Sequence, residues 1–472
     1  MRKVLLGWLL VGSLQAGEIY RAAALYPDGK TLVVATPTAL HWLEPLSGKT
    51  LRSIEREGVR CLAVSPEGKL LAVGERTIFL CEAATGKAIG KLFGHTAAVH
   101  SLVFLPGGQR LLSADQTGQV RLWELSSQKA IRAATTHQRW AMQLVVDSQG
   151  ETVAVATPQG VQLFEAQTLL HRGTLRLPGS DQATTALAFS PDGRSLAALY
   201  ADHRLVIWEL LTAQPRLSRP ASRDLFRTLA FTLDGRRLLL GGERTFVWDL
   251  STDRLLPVGE RKNLDLRALF PLRTGLLAVT EQEIFMEKSM PTWPAFSPLP
   301  IAEAWEALDQ PDATRAYWGL WSLLHSKEGV AHVLDRLSDV SGEIRAWRQK
   351  IQQLIADLDH EDFPVREKAS AALAKLGPEV YDDLESALKS GLPLEPQRRI
   401  ERLLRSMKRP SQPLAPGLLR HLRGVEVLEY AGTPEVWAVL EKLSACDEPR
   451  LAASAKAALS RRKKAPLLGA DR

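Results

Sequence analysis

Counting six residues back from the proline, or its equivalent, of seven successive turns returns a set of basic side chains. The position holds Arg21 (before Pro27), Arg60 (before Pro66), His100 (before Pro106) and Arg227 (before Leu233), with Met142, Thr185 and Asp265 in the other three. A guanidinium stays charged at physiological pH, and its planar fork of N–H donors matches a carboxylate. Several of them on one surface would attract an anion; they would not by themselves make or break a bond. The turn Gly74-Glu75-Arg76-Thr77 recurs as Gly242-Glu243-Arg244-Thr245 and adds Arg76 and Arg244 to the set. The competing reading is that these arginines pair with Glu75, Glu243 and neighbouring carboxylates and only solubilise the surface.

Residue patterns that run reactions are missing. The chain has no Cys-x-x-Cys, no His-Glu-x-x-His, no phosphate-cradling glycine loop, no Gly-x-Ser-x-Gly elbow and no Asp-rich calcium loop. The 10 histidines are scattered. No catalytic residue, metal site or cofactor is expected. Three cysteines make no disulfide framework, and Cys61 and Cys81 read as buried thiols. The net charge of +7 is too small to announce a nucleic-acid partner. Arg398, Arg402, Arg405 and Arg409 form a stripe at helical spacing, and Arg461-Arg462-Lys463-Lys464 closes the chain's last helical pattern; both read as solvated faces.

The elements that carry these residues repeat. In Gly94–Glu124, apolar alternation over Val99–Leu105, Arg110–Ser113 and Gln119–Trp123 is broken by Pro106-Gly107-Gly108 and Thr117-Gly118. That pattern predicts three short antiparallel strands joined by tight turns. The acid closing the third strand recurs at Glu44, Glu82, Glu124, Glu165, Glu209, Asp249 and Glu287, with a large or apolar residue before each. A glycine between the first and second strands recurs in the same register at Gly29, Gly68, Gly108, Gly150, Gly193, Gly235 and Gly275. Two independent markers with the same seven-fold count predict seven four-stranded units.

The Gly94-His95 opening and the Trp123-Glu124 close resemble the WD40 repeat. The resemblance implies a seven-bladed β-propeller over residues 17–297. It also implies an internal polar network carried by His95, Ser101, Asp115 and Trp123, and core anchors at Trp123, Trp208 and Trp248. It places the residue six before each turn at the rim of the central channel, where the innermost strand begins, on the face that usually binds partners. From about Leu299 the period changes from two to 3.6. Val365, Ala369, Leu373 and Leu376 line one helix, and Val436, Leu440 and Leu443 another. Paired amphipathic helices of this length resemble HEAT-like repeats and imply an all-α solenoid over residues 354–465, broken by the Pro-rich stretch Arg409–Gly417. Residues 298–353, with Trp305, Trp318, Trp321 and Trp347, read as a Trp-rich helical connector that docks on its neighbours.

The N-terminus places Arg2-Lys3 before the apolar run Val4–Val11 and small residues at Ala16-Gly17, the order of a secretory signal occupying residues 1–16. Export, periplasmic or extracellular, is therefore expected. The alternative is a cytoplasmic chain in which this segment is a propeller strand. Ser289–Pro298, the other source of a seventh fourth strand, carries Pro291, Pro294 and Pro298 and suits a ladder poorly. The function expected is a non-enzymatic scaffold for protein–protein contacts, its protein partner acidic, with no nucleic acid and no membrane span. The alternative is an enzyme or a binder of small ligands or glycans that uses the central channel.

Overall fold

The computed structural model describes residues 9–13, 20–136, 141, 143–177, 182–220, 226–258, 264, 266–272, 275–280, 283–287, 296–338, 340–376, 380–406 and 417–464. The chain divides into two compact units, Met1–Phe296 and Ser297–Arg472.

The first unit is a seven-bladed propeller of four-stranded antiparallel sheets, six of them wound inner to outer in chain order. The inner strands are Ala22–Leu25, Cys61–Val64, Val99–Phe104, Leu144–Val146, Thr184–Phe189, Thr228–Phe231 and Leu266–Leu272. Each packs against the inner strand of the next blade, and the seventh packs against the first, so the ring is closed. All seven marker glycines sit at positive φ, six of them between 67° and 73°. Only glycine enters that region without a Cβ penalty, which is why this residue keeps the repeat's register.

The marker acids also have a physical reason. The Glu44, Glu82, Glu165, Glu209 and Asp249 carboxylates each accept a hydroxyl proton from the Ser or Thr three residues later: Ser47, Thr85, Thr168, Thr212 and Thr252. Each pair closes the turn into the outermost strand. Hydrophobic clusters lie between neighbouring blades, as where Leu71 and Cys81 of the second blade meet Val33 and Trp42 of the first. Trp123, Trp208 and Trp248 are buried at 0%, 2% and 0% exposure. Their indole N–H groups find different acceptors: Ser113 Oγ at 2.8 Å, Tyr200 Oη at 3.2 Å and Asp253 Oδ1 at 2.8 Å.

The seventh sheet takes its outermost strand from the other end of the chain. Leu9–Ser13 pairs antiparallel with Glu283–Glu287, Leu9 opposite Met286 and Ser13 opposite Glu283. Most of the alternative stretch, Ser289–Pro298, falls outside the described residues.

The second unit has ten helices among its described residues: α1 Ile301–Ala307, α2 Ala313–Leu324, α3 Lys327–Ser338, α4 Val340–Asp357, α5 Phe363–Leu376, α6 Tyr381–Lys389, α7 Leu394–Ser406, α8 Leu418–Ala431, α9 Pro434–Leu443 and α10 Pro449–Lys464. They are not stacked in simple sequence order. α1, α2 and α3 pack on α8, which also holds α9 and α10, while α4 to α7 form a group of their own. Ile351, Leu358, Ala369, Leu373, Leu384 and Ile400 make the core of that group. The boundary placed at residue 353 from the sequence falls inside α4, and the helices drawn as a connector belong mostly to the α8 group. Arg423 fixes the two ends of that group together: buried at 2% exposure, it donates to the Leu308 and Gln310 carbonyls at 2.7 Å. Trp305 stacks edge-on against His332 and lies under Arg420, and Trp321 meets Tyr430. Trp347 packs on the α4–α7 core instead. Much of the Pro-rich stretch Arg409–Gly417 lies outside the described residues.

Replacing Trp248 with Ala should remove about 3–5 kcal/mol from the propeller's unfolding free energy, read by urea denaturation of the full chain. The same loss is expected for Trp123→Ala, which also removes one of the two partners of Ser113 Oγ.

Candidate partner-binding site

Two constellations have the residue types for a site, and the geometry separates them. The first is in the third blade. His95 Nδ1 lies 2.8 Å from Asp115 Oδ2 and its Nε2 lies 2.6 Å from Ser113 Oγ, which accepts the Trp123 indole N–H. The serine of the network is thus Ser113, not Ser101. Ser101 Oγ instead accepts the backbone N–H of Leu144 at 3.0 Å, joining the third blade to the fourth. The reason lies in strand geometry: Ser113 is two residues before Asp115 and shares its side of the second strand, while Ser101 follows the irregularity between Val99 and Ser101 on the inner strand.

An aligned Asp–His–Ser row resembles the machinery of acyl transfer, but here the His95 and Asp115 side chains are 1% and 0% exposed. The serine oxygen is already occupied by two partners. Burial holds the His95 imidazole below its ordinary value, against the bond to Asp115, so the ring is neutral at neutral pH. Burial opposes ionisation of Asp115, but bonds from Thr117, His95 and the Gln119 amide outweigh it and keep the carboxyl below the usual range. The row is a staple that satisfies four buried polar groups inside a sheet.

The second constellation is the channel rim. The backbone N–H groups of Arg21, Arg60 and Arg227 donate to Ala35, Gly74 and Gly241, so all three begin an inner strand in the same place. His100 fills it in the third blade and Thr185 in the fifth, each inside an irregularity of the ladder. Met142, the residue expected in the fourth, lies outside the described residues.

In the seventh blade the sequence count picks the wrong residue. Pro271 is not in the turn; it pairs with Leu276 in the ladder, and the hairpin closes between Leu272 and Gly275. Ala268 opposite Val279 therefore matches Ala22 opposite Ala35, with Thr280 and Thr36 making the same side-chain contacts three residues on. The rim residue of the seventh blade is Arg267; Asp265, the residue expected there, lies outside the described residues. Basic residues then occupy five consecutive blades: Arg227, Arg267, Arg21, Arg60 and His100. Arg21, Arg60, Arg227 and Arg267 are all exposed.

The repeated Gly-Glu-Arg-Thr turn does not double this arrangement. By ladder position Gly74 matches Gly241, so Glu75 stands where Gly242 does and Arg76 where Glu243 does. Both copies are on turns between the second and third strands, but Arg76 and Arg244 are not equivalent. Arg76 donates to the Thr96 carbonyl at 3.2 Å. Glu75 pairs with Arg56 at 2.9 Å and not with a rim arginine. Among the described residues, Arg21 and Arg60 make no side-chain ion pair. The positive charge of Arg60 reaches His100, where it adds to burial in holding the imidazole below its ordinary value.

With this geometry in place, comparison with known proteins identifies the repeat. The model of the WD domain, G-beta repeat, matches residues 86–124 and 172–209, the stretches that close on Trp123-Glu124 and Trp208-Glu209. The chain carries WD40 repeats. It is 27% identical over 197 residues to Periodic tryptophan protein 2 of Arabidopsis thaliana, covering 40% of this chain and 22% of that protein. It is 26% identical over 209 residues to Transducin beta-like protein 3 of Bos taurus, covering 41% and 25%. It is 30% identical over 186 residues to Centriole proteome protein 16 of Chlamydomonas reinhardtii, covering 37% and 9%. The matches thus span a quarter or less of these relatives' lengths. No helix among the described residues is long and apolar enough to cross a membrane.

Ser113→Ala leaves two buried polar groups unsatisfied and should destabilise the propeller by about 1–3 kcal/mol in urea denaturation. The neutral His95 also sets a pH dependence. Its folded pKa lies below its unfolded value, so the unfolded chain takes the proton first and stability falls as pH drops below about 6.5. His421, held at about 4 by burial and by Arg420, acts in the same direction. The difference between the wild-type chain and His95→Gln isolates the blade's share: the variant should lose less stability between neutral and mildly acid pH.

Proposed function

We propose that the protein is a non-enzymatic scaffold whose working surface is the propeller face where the inner strands begin. The single observation that carries this reading is the run of basic residues at one ladder position in five consecutive blades, on a rigid ring whose interior is spent on packing. The polar cluster with the chemistry of a catalyst is sealed into the third blade, which supports a role without catalysis. Likeness to WD-repeat proteins supports it further.

Two readings of the N-terminus follow from different observations. The basic, apolar and small-residue order of residues 1–16 supports export, with cleavage after Ala16. Removal of that segment would leave Glu283–Glu287 as an open sheet edge. The pairing of Leu9–Ser13 with Glu283–Glu287 supports the second reading, an unprocessed chain closed by its own N-terminus.

A photo-crosslinking residue placed at Arg60, and separately at Lys30 in a turn of the opposite face, tests the surface in the native cell. A discrete adduct from position 60 and none from position 30 is expected; the reverse result would assign the partner to the other face. N-terminal sequencing of the same material decides between the two readings of residues 1–16. A start at Gly17 is expected for export, and a start at Met1 or Arg2 for strand closure.

A further inference from the structure

Six of the seven blades enter their outermost strand by the same turn, and the sequence of the seventh is closed to it. The residue four after the marker acid is Gly48, Gly86, Gln128, Leu169, Ala213 and Asp253 in the first six blades, and each has φ between 49° and 71°. The residue three after the acid is Ser or Thr in the same six. After Glu287 these two positions hold Met290 and Pro291. A proline ring fixes φ at about −65°, so it cannot supply the left-handed residue on which the turn depends. The outer edge of Glu283–Glu287 must take its neighbour from elsewhere.

The strand that presents this edge is otherwise complete. Ile284 and Met286 pack with Tyr20, Leu32 and Leu43 of the first blade's side, and Phe285 packs with Leu239 and Val247 of the sixth. Its inner edge pairs with Gly275–Thr280. Leu9–Ser13 fills the outer edge, antiparallel, with an irregularity between Leu10 and Gly12. The apolar run Val4–Val11 of the export signal overlaps that strand at residues 9–11. A segment released by cleavage after Ala16 cannot also stay in the ladder, so the two uses exclude each other.

We propose that the outer edge of Glu283–Glu287 is a strand-acceptor site, and that in the processed protein it binds an extended apolar segment of a different polypeptide. The proposal rests on the export reading above and gives the scaffold a second contact, at the outer edge of the ring. A second copy of the processed chain would also lack residues 9–13, so the donor is another protein. A bare edge carries a row of unpaired N–H and C=O groups, and an added strand satisfies them. Main-chain hydrogen bonds then supply the affinity, and alternate side chains supply selectivity. The outermost strands of the other blades show what such a segment needs. They are largely exposed but hold a buried apolar residue, such as Leu92, Leu175, Leu217 or Val258.

The test uses the full chain with a protease recognition sequence placed between Ala16 and Gly17 and cut after folding. The probe is a fluorescent synthetic peptide with the sequence of residues 6–15. The cut chain should bind it saturably, and the uncut chain at least about tenfold more weakly. Adjacent N–H groups point to opposite sides of a strand, so Leu9→Pro with Leu10→Pro in the peptide removes one that faces the ladder and should weaken binding about tenfold. Hydrogen exchange at Glu283–Glu287 should rise on release of the segment and fall again with peptide, with the other outermost strands unchanged. Cutting in excess peptide covers the case of a bare edge that aggregates: the label should then elute with the folded chain. A folded chain without label would overturn the proposal. Equal binding by the uncut chain, or by the proline peptide, would show adhesion of an apolar peptide and overturn it. So would protection of Glu283–Glu287 that persists without segment or peptide, because the chain would then cover its own edge. A native start at Met1 would overturn the foreign donor by removing the processed form. Failed exchange with a native start at Gly17 would overturn the acceptor edge and leave export in place.

Discussion

Every part of the propeller depends on one constraint: a four-stranded sheet has two apolar faces and cannot cover either by itself. Each blade must therefore lie between two others, and the seventh must meet the first. The contact between Leu266–Leu272 and Ala22–Leu25 meets that condition at the channel, and the Leu9–Ser13 ladder meets it at the outer edge. Once the ring closes, the inner strands all begin on one face. A single residue per blade is then repeated around the channel mouth, and whatever charge that residue carries becomes a property of the ring. The basic arc is thus a consequence of closure as much as of composition.

The constraint also explains how the interior tolerates polar groups. The tryptophans that anchor blade contacts carry an N–H that must be satisfied where no water reaches. Ser113 with His95 and Asp115, Tyr200 and Asp253 are three local answers to one problem. Because each blade needs only some acceptor, the sequence around the anchor can diverge. This is why the Gly-His opening survives in the third blade alone while the turn glycines, which answer to backbone geometry, survive in all seven.

The same difference decides what was legible from the amino acids. The seven-fold count, the turn glycines and the helices over 363–376 and 434–443 follow from local patterns, because positive φ and amphipathic spacing each leave a direct mark. The family resemblance points to Ser101, although the place of Ser113 two residues before Asp115 on the same strand is the usable signal. Arg267 is hidden from the count because Pro271 looks like the turn proline of the other blades, whereas the seventh hairpin is shorter and takes that proline into its ladder. The grouping of α1–α3 with α8–α10 left no local mark, since an apolar helical stripe states that something covers it without stating which helix. The Arg423 bonds to Leu308 and Gln310 link residues more than a hundred positions apart and belong to the same class of long-range fact.

The central claim is that the face where the inner strands begin is the working surface. Hydrogen–deuterium exchange of the full chain, with and without the partner captured by crosslinking at position 60, reads this directly. The account predicts added protection at the starts of the inner strands bearing Arg227, Arg267, Arg21 and Arg60, with no change at the turns carrying Gly29, Gly68 and Gly193 on the opposite face. Protection confined to those turns, or to the helices beyond residue 297, would contradict it.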